Sequence, residues 1–221
     1  MKLKLVKKTE ETKDTKSFFF TSDEKFNWEA GQYLYLTLGK ITKQFTIASS
    51  PTEKLIQITT RIRKESEFKQ NLDKLEIGDE IKARGPFGSF VLSVHSSQFT
   101  VHCFLAGGIG ITPFRSMIKN IVDLKLETEI YLIYSNSDSD FVFKKELDKW
   151  QKENKYIKIN YVDTSKSGRL NKDSLNHFIS NHLISCFWIV GPPAFVNAME
   201  DILEKLKIAQ DQIRIEKFIG Y

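Results

Sequence analysis

Three glycines fall within four residues of LAGGIGITP, at Gly107, Gly108 and Gly110, after the apolar run VHCFLA and before Thr112 and Pro113. At the carboxyl end of a buried strand, glycines bring backbone amides out where no Cβ blocks a close ligand, and Ile109 adds one more amide to that turn. A second turn of the same kind, Gly191-Pro192-Pro193, follows the apolar WIV, and a third strand end carries the small hydrogen-bonding side chains of Ser135 and Asn136. Together these residues have the chemistry to hold a nucleotide's phosphates. The set is not the dinucleotide fingerprint GxGxxG, because counting from Gly108 the third glycine position holds Pro113. Taken singly, each turn also reads as an ordinary tight turn or helix start.

The first half of the chain offers different groups. KQFTIASSP places the cation Lys43, the aromatic Phe45 and the hydroxyls of Thr46, Ser49 and Ser50 on one strand and its exit, with Gln44 beside them. Such a strand is able to bind the edge of a planar heteroaromatic ring; an amphipathic barrel strand would contain the same residues. Downstream, Arg61 and Arg63 precede Ser66, a good N-cap for a short helix near Glu67 to Lys74. Guanidinium plus helix amides suits a pyrophosphate, whereas a solvated connector helix is the plain alternative. In SNSDSD, after Tyr134, aspartates stand where a 2′-phosphate would need a cation, which favours NADH over NADPH; Lys144 and Lys145 are the cations nearest in sequence.

These residues need two kinds of scaffold. Up to about residue 97, short β-like runs recur: KLKLVKK, TKSFFFTS, QYLYLTL, QFTIASS, KLIQITTRI, DEIKARG and GSFVLSV, with GPFGSF (85–90) as a tight turn. That spacing predicts an antiparallel barrel or sandwich. After Ser97 apolar runs at Val101 to Ala106, Ile130 to Tyr134, Ile157 to Val162 and Phe187 to Val190 recur about every 30 residues, the period of βαβ units and a parallel sheet. Helical faces are readable after the first run (Phe114, Met117, Ile118, Ile121), after the second (Phe143, Leu147, Trp150) and after the fourth (Val196, Met199, Ile202, Leu203, Leu206). Thr112 is the expected N-cap of the first, with Pro113 opening it. The fold class is therefore two-domain, β followed by α/β: a β-barrel over 1–97 and a parallel-sheet nucleotide domain over 98–221.

The 221 residues carry a net charge of +5 spread along the chain, consistent either with a basic docking face or with a lysine-rich solvated surface. Cys103 and Cys186 lie inside apolar runs without CxxC spacing, reading as buried thiols of a reducing compartment, and no metal ligand set is apparent. No apolar run reaches the roughly 18 residues of a membrane span, and MKLKLVKKTEETKD has no signal-peptide core, so a cytoplasmic protein without membrane insertion is expected. No nucleic-acid partner is expected, because basic and aromatic residues do not interleave on one face.

The ordered set GQY (31–33), KQFTIASSP (43–51), GPFGSF, LAGGIGITPFRSM (105–117), YSN (134–136), VGPPAFVNAM (190–199) and the terminal EKFIGY resembles the ferredoxin-NADP reductase superfamily along essentially the whole chain. The resemblance implies FAD held at the junction of a flavin-binding barrel and an NAD(P)H-binding domain, with hydride passing from NADH or NADPH to FAD. Electrons then leave to a separate acceptor: a ferredoxin or flavodoxin, a partner subunit, a quinone or a free flavin. The family's Arg-x-Tyr-Ser/Thr motif falls on Lys43, Gln44, Phe45 and Thr46, so Phe45 would pack on the flavin ring and Thr46 would bond to it. GGIGITP would carry the NAD(P)H pyrophosphate, with Thr112 between the two rings, and Glu216 with Phe218 or Tyr221 would complete the site at the terminus. Three departures stand out: Lys43 lacks the bidentate fork of arginine, Phe45 keeps a stacking face but lacks the tyrosine hydroxyl, and Val190 occupies the position of the family's cysteine. A redox-inactive nucleotide-binding module of the same fold is the alternative these departures keep open.

Overall fold

A computed structural model describes residues 1–92, 101–180 and 182–218. They form two compact units: Met1–Leu92 together with Thr112–Asp123, and the remainder of the described chain. The expected boundary near residue 98 lies outside the described residues.

In the first unit six strands, β1 (Lys2–Thr12), β2 (Thr15–Ser22), β3 (Tyr33–Leu38), β4 (Ile41–Thr46), β5 (Ile56–Arg61) and β6 (Glu80–Phe87), make an antiparallel sheet of order β4-β3-β6-β1-β2-β5. The two edges meet: Ile47, just past β4, bridges Ile58, and the Ala48 amide donates to the Gln57 carbonyl at 2.8 Å, so the sheet closes into a barrel. Strand alternation explains the inside, because Leu3, Leu5, Phe18, Phe20, Leu34, Leu36, Ile56, Ile58 and Ile81 all turn inward. Helix α1 (Glu67–Lys74) plugs this core with Phe68 and Leu72, and Ser66 caps it by accepting from the Lys69 amide at 3.4 Å. Helix α2 (Ile111–Leu124) contributes Thr112–Asp123 to the same unit.

The second unit is a parallel sheet of β7 (Val101–Gly107), β8 (Glu129–Asn136), β9 (Ile157–Asp163), β10 (Cys186–Gly191) and β11 (Ile213–Lys217), ordered β11-β10-β7-β8-β9. The three central strands, β7, β8 and β10, are buried on both faces and read as nearly continuous apolar runs, while the edge strands β9 and β11 are only partly buried. Helices α3 (Lys144–Glu153), α4 (Thr164–Ser167), α5 (Lys172–Ile179) and α6 (Pro193–Lys205) complete it. Cys103, Leu105, Ile133, Leu175, Phe187, Ile189, Val196, Met199 and Leu203 share one core.

Several expectations need correcting. A 3-10 turn, Gly108–Gly110, runs straight into α2 at Ile111, so Thr112 and Pro113 stand in the helix's first turn and Thr112 is not its N-cap. β6 continues through Gly85-Pro86-Phe87, where a tight turn was expected, and Gly88–Leu92 form no strand; the rest of GSFVLSV lies outside the described residues. α5 was not anticipated, although Asn171 and Ser174 form a reciprocal capping box that marks its start. Cys103 is fully buried, whereas Cys186 is only half-buried.

Candidate functional site

The barrel unit gathers positive charge where β4, β5 and α1 come together. Lys69, buried on α1, has its ammonium pKa pushed down to about 8, first by burial and then by the cations Arg63, Arg61 and Lys43. Four cations thus lie near enough around this helix turn to act on one another, an arrangement that a multiply charged anion would relieve. Arg61 is partly engaged already, its Nε lying 3.1 Å from Asp14 Oδ2. Lys43 and Gln44 are exposed at the β4 edge, while Phe45 is buried with its ring stacked 5.4 Å from that of Phe68, and Thr46 is buried beside it. Ser49 is held on three sides: its hydroxyl accepts from the Gln57 amide at 2.9 Å, and its carbonyl accepts from Trp28 Nε1 at 3.1 Å and from Ser116 Oγ at 2.6 Å.

The last of those contacts comes from α2, which clasps the segment after β4. Arg115, buried, forms a bidentate ion pair with Glu53 and donates to the Ala48 carbonyl at 3.1 Å. Glu53 in turn accepts from the Ser50 amide at 2.7 Å, and Thr52 donates to Asp123. The Ala48–Glu53 segment is thereby fixed by side chains more than 60 residues distant in sequence. Sequence reasoning missed Arg115, Glu53 and Lys69, since nothing local marks an arginine in an amphipathic helix or a lysine in a connector as buried.

In the parallel-sheet unit β7 lies between β8 and β10, which brings the three strand ends together: Gly107 pairs with Ser135, and Val190 with Ala106. A Cβ on Gly107 would stand 2.6 Å from the Phe195 ring, one on Gly110 2.3 Å from the Val190 carbonyl oxygen, and one on Gly191 2.9 Å from Phe195. These three glycines are required by packing between the two turns, which corrects the reading of each as space left for a ligand. Gly108 is different. Its φ of +55° suits glycine, and the nearest atom a Cβ would meet is Asn136 Oδ1 at 3.9 Å, so this turn presents open backbone. Asn136 donates through Nδ2 to the Asp138 carboxylate at 3.0 Å and to the Asp140 carbonyl at 3.2 Å, which ties down the SNSDSD loop. Pro192 caps α6 and Pro193 opens it.

Glu216 pairs in register with Val190 at the carboxyl ends of β11 and β10. Burial pushes its carboxyl pKa up to about 7, and Oε2 is buried without a hydrogen-bond partner. Phe218 is buried, with its amide donating to the Gly191 carbonyl at 3.0 Å. Tyr221 lies outside the described residues.

Residues 2–92 match the oxidoreductase FAD-binding domain, and residues 104–201 match the oxidoreductase NAD-binding domain. The chain belongs to the ferredoxin-NADP reductase superfamily. Among curated members, flavohemoprotein A of Dictyostelium discoideum is 26% identical over 96% of this chain, and the chain spans 58% of that protein's length. An NADH nitrate reductase of Cucurbita maxima is 31% identical over 62% of this chain and 17% of its own. The crystal structure of a flavohemoglobin from Malassezia yamatoensis with bound FAD and heme superposes with a TM-score of 0.85 at 25% identity, covering 98% of this chain and 59% of that one.

The two sites of this superfamily member fit the coenzymes its domains bind. The four cations at α1 answer a flavin dinucleotide's diphosphate, and the open Gly108 turn with the orphaned Glu216 oxygen answers a pyridine nucleotide. Val190, where the superfamily has cysteine, is fully buried and turns its carbonyl toward Gly110. Among the described residues no helix is long and apolar enough to cross a membrane.

Proposed function

We propose that this chain takes hydride from NADH on its parallel-sheet unit, delivers it to FAD on its barrel unit, and releases electrons to a separate acceptor. The observation that carries this reading is that one chain pairs a four-cation anion site with a glycine-lined cluster of strand ends beside a buried carboxylic acid. Bound FAD would supply the electron chemistry, accepting two electrons together and able to give them up singly.

The residues do the positioning. Lys43, Arg61 and Lys69, with the amides after Ser66, hold the diphosphate; Lys69 makes up for the bidentate arginine that Lys43 lacks. Phe45, backed by Phe68, gives a rigid apolar wall, and Thr46 and Ser49 supply hydroxyls next to it. The amides of Gly108 to Gly110 and the first turn of α2, including Thr112, receive the nucleotide phosphates, with Ser135, Asn136, Gly191 and Pro192 lining the neighbouring strand ends. Glu216 holds one proton near neutral pH beside Val190, and Phe218 packs the exit of β11.

NADH is favoured over NADPH. Asp138 and Asp140 sit in the loop after Asn136, and Lys144 is committed to Asp148 at 2.6 Å and to the face of Tyr161 at 4.2 Å, away from service to a 2′-phosphate. The name of the Cucurbita maxima relative, an NADH enzyme, agrees. Anaerobic titration of the FAD-loaded protein with NADH and then NADPH, followed through flavin absorbance, tests the proposal. Bleaching at stoichiometric NADH and sluggish bleaching by NADPH are expected; a protein that binds no FAD would overturn it.

A further inference from the structure

A turn built of glycines has little to hold it in shape, because a residue without a side chain keeps the widest choice of backbone angles. The turn at Gly107 and Gly108 nevertheless takes a defined conformation, with Gly107 extended at φ −106° and ψ 110° and Gly108 left-handed at φ +55°. One side chain stands against it. A methyl group added to Gly107 would come 2.6 Å from Phe195 Cγ, 2.7 Å from Cδ1 and 3.1 Å from Cδ2, and one added to Gly191 would come 2.9 Å from the same Cδ1. Phe195 therefore faces the carboxyl ends of β7 and β10 at once. Its place is fixed by α6, in whose first turn the Phe195 and Val196 amides both donate to the Pro192 carbonyl, at 2.9 and 3.1 Å. Val196 is fully buried in the core of the sheet, and Phe195 packs against that core while staying half-buried itself. Gly191 has a second restraint, its carbonyl accepting from the Phe218 amide at 3.0 Å.

From this contact we propose that Phe195 is the positioning residue of the nucleotide site: its ring, seated against Gly107 and Gly191 together, holds the two turns in the conformation that presents the amides of Gly108 to Gly110 to a nucleotide diphosphate. The inference rests on the hydride-transfer reading for the identity of the ligand, and adds to it the side chain that shapes the ligand's turn. Phe195 acts through the backbone of the turns and takes no part in the chemistry. A turn restricted before its ligand arrives loses less conformational freedom on binding, and that difference appears as affinity. The contact also explains why glycine and phenylalanine occur together here. At Gly107 the three atoms nearest an added methyl all belong to the ring, so it is the ring that forbids a side chain there. At Gly191 an added methyl would also meet the Gly107 Cα and carbonyl oxygen, each at 3.2 Å, so removing the ring relieves Gly107 more than Gly191.

The test measures by calorimetry the binding of ADP-ribose, which carries the diphosphate but no nicotinamide, to the FAD-loaded full chain. Phe195→Ala should weaken binding about tenfold, and Phe195→Leu, which refills most of the space, should stay within about threefold of wild type. Gly107→Ala alone should weaken binding more than about thirtyfold, yet added to Phe195→Ala it should cost less than about threefold further, because its methyl then has no ring to meet. Gly191→Ala added to Phe195→Ala should remain the more costly of the two. Stopped-flow flavin reduction by NADH should show the loss in Phe195→Ala as a raised half-saturating concentration, with a limiting rate within about threefold of wild type. Wild-type affinity in Phe195→Ala, or losses at 107 and 195 that simply add, would overturn the proposal. Should Gly107→Ala and its double variant both fail to fold, the affinities of Phe195→Ala and Phe195→Leu decide alone. No ADP-ribose binding by the wild type would strike the nucleotide reading and this proposal with it, whereas a wild type that binds ADP-ribose but keeps its flavin oxidised under NADH would strike hydride transfer only.

Discussion

In the proposed reading, the cation cluster of the barrel and the glycine turns of the parallel sheet would hold phosphate by opposite means. The barrel uses charge, with Lys43, Arg61, Arg63 and Lys69 close enough together to depress the Lys69 ammonium. The sheet uses shape, with Gly107, Gly110 and Gly191 interlocked so tightly that a single methyl group would collide with a neighbouring backbone or ring. A site made of charges is tunable by pH and salt and tolerates replacement of one member. One made of interlocked backbone is indifferent to pH and fails abruptly.

Gly110→Ala should therefore give the largest effect. Its methyl would meet the Val190 carbonyl at 2.3 Å, and forcing the two turns apart should cut NADH-linked turnover by at least about a hundredfold while FAD remains bound, as stopped-flow flavin reduction would show. Arg115→Met strikes the barrel's clasp. It strands Glu53 and the Ala48 carbonyl, and should lower unfolding stability in urea by about 3–5 kcal/mol, with Glu53→Gln costing less.

Glu216→Gln sharpens the comparison, because it places one titrating group inside the shape-based site. The folded pKa of Glu216, about 7, lies above its ordinary 4.5, so the proton is held more tightly in the folded state, and the stability this confers is lost as pH rises through 7. The wild type should lose on the order of 2 kcal/mol between pH 5 and pH 8 from this group, and the glutamine variant should not, as thermal melts across that range would reveal. Lys69→Met is the mildest change. It should weaken FAD binding about tenfold at pH 7. Only the charged ammonium attracts the diphosphate, so wild-type affinity should decline as pH climbs past about 8 while that of the variant does not, a contrast readable by fluorescence titration. A variant with undiminished affinity would mean that the charge cluster is not the flavin's anchor.

Much of this architecture is written locally. Period-two alternation in KLKLVKK and QYLYLTL marks the barrel strands, and apolar runs leading into glycine or serine mark the central parallel strands β7, β8 and β10, because a half-buried and a fully buried strand impose different patterns. The strand ends that gather Gly107, Ser135 and Gly191 follow from that pattern once the order of the parallel sheet is known. Where reading failed, the deciding information was non-local. The glycine-rich turn looked like room for a ligand, yet Phe195 and Val190 occupy most of that room, and neither is near Gly107 or Gly110 in sequence.

The sequence by itself determined the two kinds of sheet, the helices with apolar stripes, and the residue types at the strand ends, since these depend on side-chain periodicity and on the backbone freedom of glycine and proline. Tertiary structure alone decided that Lys69 and Arg115 are buried, that Glu216 is desolvated until its proton is held near neutrality, and that the Phe195 ring faces Gly107 and Gly191 together. Burial, electrostatic crowding and steric contact are properties of pairs brought together by the fold, and no single stretch of chain contains both members.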